Sequence, residues 1–175
     1  MKFNPTTLCD AWLIELEPVV DIRGYLARTF CVDEFAARGL ETNFVQHSVS
    51  FSAGKGTIRG MHYQRKPHGE VKLVRCIKGS VWDVIIDIRP GSPTYRRWQS
   101  FELSSANKNQ LYVPKGFAHG FQTLRDAVEI NYLISEPYSP QSSYGIRHDD
   151  PAFAIHWPLP VTEISSKDLQ WPDFT

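Results

Sequence analysis

Val71-Lys72-Leu73-Val74-Arg75-Cys76-Ile77-Lys78-Gly79-Ser80-Val81-Trp82-Asp83-Val84-Ile85-Ile86-Asp87-Ile88 decides the class of fold. From Trp82 the residues alternate. Trp82, Val84, Ile86 and Ile88 take one face and Asp83, Ile85 and Asp87 the other, the period of two that marks a strand. The stretch before it is also β-rich, and Lys78-Gly79-Ser80 carries a tight-turn signal, so 71–78 and 82–88 are expected to pair as a hairpin. Outward from this pair, further strands are expected at 24–30, 44–52, 56–64, 98–103, 109–113, 120–123 and 128–134. One short helix is expected at 33–38, with Asp33 as N-cap and Gly39 as its stop. From Ser135 onward Pro, Ser and aromatic residues dominate, which reads as an ordered segment, 135–175, wrapped over a barrel, with one last helical turn near Ser165. Many short strands at this spacing predict an all-β fold of the jelly-roll type, in a single domain spanning 1–175.

Composition agrees with that class. The 175 residues include 12 Pro and 11 Gly, spread along the chain as in short elements joined by turns. Lys plus Arg and Asp plus Glu both number 19, so the formal charge is zero, which argues against nucleic acid or an anionic membrane as a partner. Hydrophobic residues at 42% can build a core, and no apolar run nears the roughly 20 residues that span a bilayer. Met1-Lys2-Phe3-Asn4-Pro5 lacks an apolar signal region, so a cytoplasmic location is expected. Cys9, Cys31 and Cys76 are odd in number and far apart, unlike a disulfide framework or a structural zinc site.

A small barrel can hold one ligand among its inward side chains, so polar residues that share parity with apolar ones are the candidates. Tyr132 shares a face with Val128, Ile130 and Ile134. Lys72 shares one with Val74 and Cys76, and His119 alternates with Phe117 and Phe121. His62 ends a β-rich run. Taken singly, each has an ordinary explanation: a satisfied core imidazole, a bonded core phenol, or a lysine that snorkels to water. Ser165-Ser166-Lys167-Asp168 likewise fits a helix capping box. Cys76 reads as a small buried apolar residue.

Pro114-Lys115-Gly116-Phe117-Ala118-His119 fits half of a cupin signature. The other half is incomplete, because His62-Tyr63-Gln64 supplies one imidazole and a neutral amide, and Glu70 is displaced. No bound metal is therefore expected.

A longer pattern resembles the dTDP-4-dehydrorhamnose 3,5-epimerase family. It comprises Arg59-Gly60-Met61-His62-Tyr63-Gln64, Lys72-Leu73-Val74-Arg75, and Gly79 through Asp83-Val84 to Asp87-Ile88-Arg89. Ser92-Pro93-Thr94-Tyr95, the stretch 114–121, Tyr132, Trp157-Pro158 and Ser166-Lys167-Asp168 follow in order. The resemblance implies a cupin-type jelly roll working as a homodimer, without metal or cofactor, on a nucleoside-diphosphate 4-keto-6-deoxyhexose. It also implies His62 as base, Asp168 as its partner, Tyr132 as acid on the opposite face of the sugar, and Lys72 beside the keto oxygen. Arg23, Arg28, Gln46, Ser48, Arg59, His119, Tyr138 and Lys167 would contact the substrate.

These residue types suit that chemistry. Carbons 3 and 5 both flank the C4 carbonyl, so a base titrating near neutrality can remove either proton through an enolate, and an ammonium can stabilise the oxygen that gathers charge. A phenol on the other face can return the proton. The chain departs from the usual family pattern at Leu26, Arg28, Ser48, Glu70 and Ser143, so the sugar chemistry is expected to be kept while either the nucleotide or the detail of the sugar differs from the thymidine-linked one. A ketoisomerase on the same kind of substrate and a non-catalytic sugar-binding barrel are the competing readings.

Overall fold

The computed structural model describes all of residues 1–175. In chain order the elements are β1 (Lys2–Pro5), β2 (Trp12–Glu15), β3 (Val19–Asp21), β4 (Gly24–Leu26), α1 (Val32–Ala36), β5 (Gln46–Ser52), β6 (Ile58–Gln64), β7 (Lys72–Lys78), β8 (Ser80–Asp87), β9 (Trp98–Ser104), β10 (Gln110–Val113), β11 (Phe117–Thr123), β12 (Val128–Ile134), β13 (Ser143–Gly145) and α2 (Ser166–Leu169). A six-stranded sheet, ordered β1-β2-β10-β7-β12-β5, faces a five-stranded sheet, ordered β13-β6-β11-β8-β9. The fold is an all-β jelly roll, as the alternation predicts.

Between the sheets, Val74 and Cys76 of β7 and Val128 and Ile130 of β12 meet Val81 and Ile85 of β8 and Phe121 of β11. Removing side chains of this size from water contributes about 1.5–3 kcal/mol each. This core fills one end of the barrel and leaves the other open.

The expected hairpin of 71–78 with 82–88 is not formed. β7 bonds to β10 and β12, whereas β8 bonds to β11 and β9 in the opposite sheet. Gly79 turns the chain with φ +80, and a Cβ there would press on Val128 Cγ2 at 2.9 Å. The turn signal marks a reversal but says nothing about which sheet receives the next strand. Burial decides that: Val81 and Ile85 point into the barrel, while Val84 and Ile86 are covered outside by Ile146, Phe153 and Trp157 of the C-terminal segment. A strand buried on both faces belongs mid-sheet.

Two smaller corrections follow from side-chain packing. β4 stops at Leu26 and pairs only with β3, because Phe30 leaves the strand direction to pack against Phe35 and Phe44. α1 starts one residue early, with Cys31 rather than Asp33 as N-cap and no side-chain cap bond, and Gly39 at φ +66 follows it. The β3–β4 hairpin joins neither large sheet, and its Val19, Val20, Ile22 and Leu26 are exposed. No helix is long and apolar enough to cross a membrane.

Candidate active site

Two adjacent strands set the imidazoles. β6 and β11 run antiparallel with His62 opposite His119, and their register shifts between His119 and Phe121. Gly60 and Gly120 permit that irregularity: Gly60 has φ +125, and a Cβ on it would collide with the Gly120 Cα. The same kink turns the Gly60 N–H toward Asp168 Oδ2, 3.4 Å away.

His62 Nε2 lies 2.6 Å from Asp168 Oδ1. Asp168 comes from α2, where the Ser165 Oγ accepts from the Asp168 N–H at 3.1 Å. Half of the capping box is therefore present, and the carboxylate serves His62 instead of the helix end. Burial alone would push this carboxyl up, but the His62 hydrogen bond, its charge and the Gly60 N–H outweigh it and hold the group below the ordinary aspartate range. A carboxylate on Nε2 fixes the ring tautomer and leaves Nδ1 as the basic nitrogen.

The second imidazole is also paired. His119 Nε2 sits 2.9 Å from Asp83 Oδ2, and both side chains are buried. Burial raises the Asp83 carboxyl above its usual value despite the imidazole.

The facing sheet supplies the other groups. The Tyr132 hydroxyl of β12 is 3.1 Å from the Ser50 Oγ of β5. Desolvation pushes this phenol above its ordinary range, so it stays neutral and able to donate. Lys72 of β7 donates to the His62 carbonyl at 3.3 Å and pairs with Glu70 at 2.9 Å.

These side chains line one cavity of about 680 Å³, with His62 and His119 on one wall and Tyr132 and Lys72 on the other. It carries Arg59 and Lys167 with Ser48, Ser143 and Tyr138 at its open end. A base with a fixed tautomer, and a neutral acid with an ammonium on the opposite wall, can move protons across both faces of a carbonyl compound.

The family model for dTDP-4-dehydrorhamnose 3,5-epimerase matches residues 5–175. The chain belongs to that family. An epimerase of this name from Sinorhizobium fredii is 42% identical over 98% of this chain and 89% of its own length. The epimerase structure from Bacillus anthracis, with TDP and pyrophosphate bound, superposes with a TM-score of 0.95 at 39% identity, covering 99% of both chains. A Legionella pneumophila family member in complex with dTDP-4-keto-L-rhamnose gives 0.90 at 38% identity, over 96% of this chain and 89% of that one.

Against the residues that family resemblance nominated, the cavity gathers His62, Asp168, Tyr132, Lys72, Ser48, Arg59, His119, Tyr138 and Lys167. Three nominated residues lie elsewhere. Arg23 is exposed on the β3–β4 turn and paired with Asp21, and Arg28 pairs with Glu34 at 3.3 Å on the surface. Both lie on an exposed stretch of the chain, outside this cavity. Gln46 accepts from the Tyr138 N–H at 2.6 Å, so it braces the loop that carries Tyr138 and does not line the cavity.

Epimerase membership did not by itself single out Asp83, Ser50 or Glu70. Asp83 left a trace in the sequence, a carboxylate in register with Ile85 on a strand apolar on its other face. Ser50 left none, because its partner is 82 residues away.

Proposed function

We propose that this chain is a 3,5-epimerase of a dTDP-linked 4-keto-6-deoxyhexose, with His62 as base and Tyr132 as acid. One observation carries the assignment: an imidazole anchored by a carboxylate and a neutral phenol stand on opposite sheets around one sugar-sized cavity. His62 Nδ1 takes the proton from the carbon beside the C4 ketone. Asp168 stabilises the imidazolium that forms, and the Lys72 ammonium meets the charge gathering on the C4 oxygen. Tyr132 then donates to the same carbon from the other face, which inverts it. Once the His62 imidazolium has given its proton to solvent and the Tyr132 phenolate has recovered one, repeating the sequence at the second carbon flanking the ketone gives the double epimer.

Arg59, Lys167 and Tyr138 at the open end suit a nucleoside diphosphate through charge and aromatic contact. The Bacillus anthracis relative has TDP bound, so dTDP is the nucleotide proposed for this chain. Titration with dTDP, CDP, UDP and GDP should show tightest binding to dTDP, and a preference for another base would refute that choice.

Turnover of the 4-keto sugar nucleotide in deuterium oxide tests the reaction, with label expected at both C3 and C5. Label at one carbon would make it a single-site epimerase, a moved carbonyl would make it a ketoisomerase, and no turnover would favour the binding protein. His62→Ala should lower turnover by about a thousandfold or more while the nucleotide still binds.

We also propose a homodimer. β5 is a sheet edge whose Val49 and Phe51 are 59% and 53% exposed, an apolar surface that a second copy would cover. Sedimentation should give twice the 20.0 kDa of one chain, and Phe51→Lys should shift it toward the monomer. The three free cysteines suit a reducing compartment, so we place the protein in the cytoplasm.

A further inference from the structure

We infer that Glu70 is a positioning residue that holds the Lys72 ammonium at the point where the sugar's C4 oxygen gathers charge. The inference rests on the epimerase reading and adds a residue to it.

Three lysines of the chain pair with carboxylates. Lys78 with Glu129 and Lys115 with Glu41 are long contacts of 3.8 and 3.9 Å between side chains open to water. Lys72 with Glu70 is different: the contact is 2.9 Å and the side chains are only 11% and 12% exposed. Both line the cavity. Surface pairs contribute little, whereas an ammonium out of water is costly without a counter-charge. Glu70 supplies it from the loop between β6 and β7, two residues before the lysine.

The geometry also fixes direction. A lysine carries four rotatable side-chain bonds and three N–H donors. The ammonium is held in an ion pair with Glu70 at 2.9 Å and donates to the His62 carbonyl at 3.3 Å. These two contacts fix its place before the substrate arrives and leave it able to donate to a ligand. Its second anchor is the backbone of the residue that carries the base, which ties the position of the oxyanion donor to that of His62. A preorganised donor stabilises the transition state without reorganising during the reaction, and that effect appears in kcat more than in KM.

If Glu70 acts through Lys72, its removal has no effect once Lys72 is gone. Glu70→Met keeps the bulk and removes both charge and acceptor. Glu70→Gln keeps an acceptor oxygen and guards against a folding defect. With the dTDP 4-keto sugar, Glu70→Met should lower kcat at least thirtyfold and Glu70→Gln about threefold, each with KM within twofold of the parent. Lys72→Met should match the Lys72→Met, Glu70→Met double variant. Additive losses, a retained kcat, or a KM effect with kcat unchanged would each overturn the inference. A ligand-free crystal structure of Glu70→Met supplies a readout independent of turnover. Lys72 Nζ should leave the His62 carbonyl, and an unmoved Nζ refutes the positioning role. An inactive parent protein would instead refute the epimerase reading while leaving this structural comparison intact.

Discussion

Tyr132 and Ser50 show how one residue's role depends on a distant partner. The phenol shares its strand face with Val128 and Ile130, which is visible in the sequence, but its partner comes from a strand 82 positions earlier. Asp83 is likewise 36 positions from His119. Parity found the inward-facing ionisable groups, and the pairings that set their protonation had to come from the tertiary structure. From local pattern alone Asp168 reads as a cap, because the reach of its carboxylate to His62 across 106 positions has no local signature, and only the family resemblance nominated it as the partner of His62. Removing the Tyr132 hydroxyl should separate the two half-reactions. Tyr132→Phe retains the base, so deuterium from solvent should still exchange at the abstracted carbon, while formation of the inverted product falls about a hundredfold or more. Equal loss of exchange and inversion, followed by NMR of the sugar, would sink the assignment of Tyr132 as the acid. Cys76 lies among the core residues and not at the reaction centre. Burial pushes its thiol up to about 11, so it should resist iodoacetamide at pH 8 in the folded protein and react in urea, as peptide mass analysis would show.

Among the elements, the longer strands were legible, the short β1, β2, β3 and β13 were not, and neither were the strands' partners. The alternation in 82–88 identified β8 correctly, yet the hairpin with β7 fails because the chain crosses into the other sheet after Gly79. Local turn chemistry cannot encode that choice. It depends on Ile146, Phe153 and Trp157 arriving from far along the chain to cover the second face of β8. α2 makes the same point for the site. A helix of four residues is not stable by itself, so its position must come from packing. Trp171, just beyond it, packs 6.5 Å from the Tyr144 ring, with the Lys167 ammonium 5.5 Å from the indole. Gly145 of β13 is what admits the indole, since a Cβ there would overlap Trp171 Nε1 and Cε2. Gly145→Ala should therefore displace Trp171 and α2, and with them the carboxylate on His62. We expect kcat to fall about tenfold or more, with a stability loss of about 1–3 kcal/mol by thermal melting. Full activity in the alanine variant would show that α2 is placed by other contacts.

At the scale of the whole barrel, the end away from the cavity is fastened by a buried carboxylate. Asp87 ends β8 with no exposed side-chain surface, and it accepts from Arg89 Nε at 2.9 Å and from the Thr94 hydroxyl at 2.7 Å. Arg89 continues the connection, donating to Asp10 at 2.8 Å and to the Cys9 carbonyl at 2.9 Å, while its guanidinium lies 4.8 Å from the Phe117 ring. The loop after β8, the segment between β1 and β2 and the start of β11 thus meet on one anion. Burial would raise the Asp87 carboxyl, but the bonds from Arg89, Ser92 and Thr94 outweigh it and bring the group down to about 2 from 3.8. Because the folded value lies below the unfolded one, the unfolded chain binds more protons across that interval. The stabilisation is complete above about pH 4 and is lost as pH falls toward 2. A difference of this size corresponds to about 2 kcal/mol. Asp87→Asn should therefore lower stability by about that amount or more at pH 7, since it leaves the Arg89 guanidinium without its main partner. The gap between the variant and the parent should close as urea melts are repeated from pH 4 down to pH 2. A gap that stays constant over that range would mean that the carboxylate's charge is not what holds this end of the barrel together.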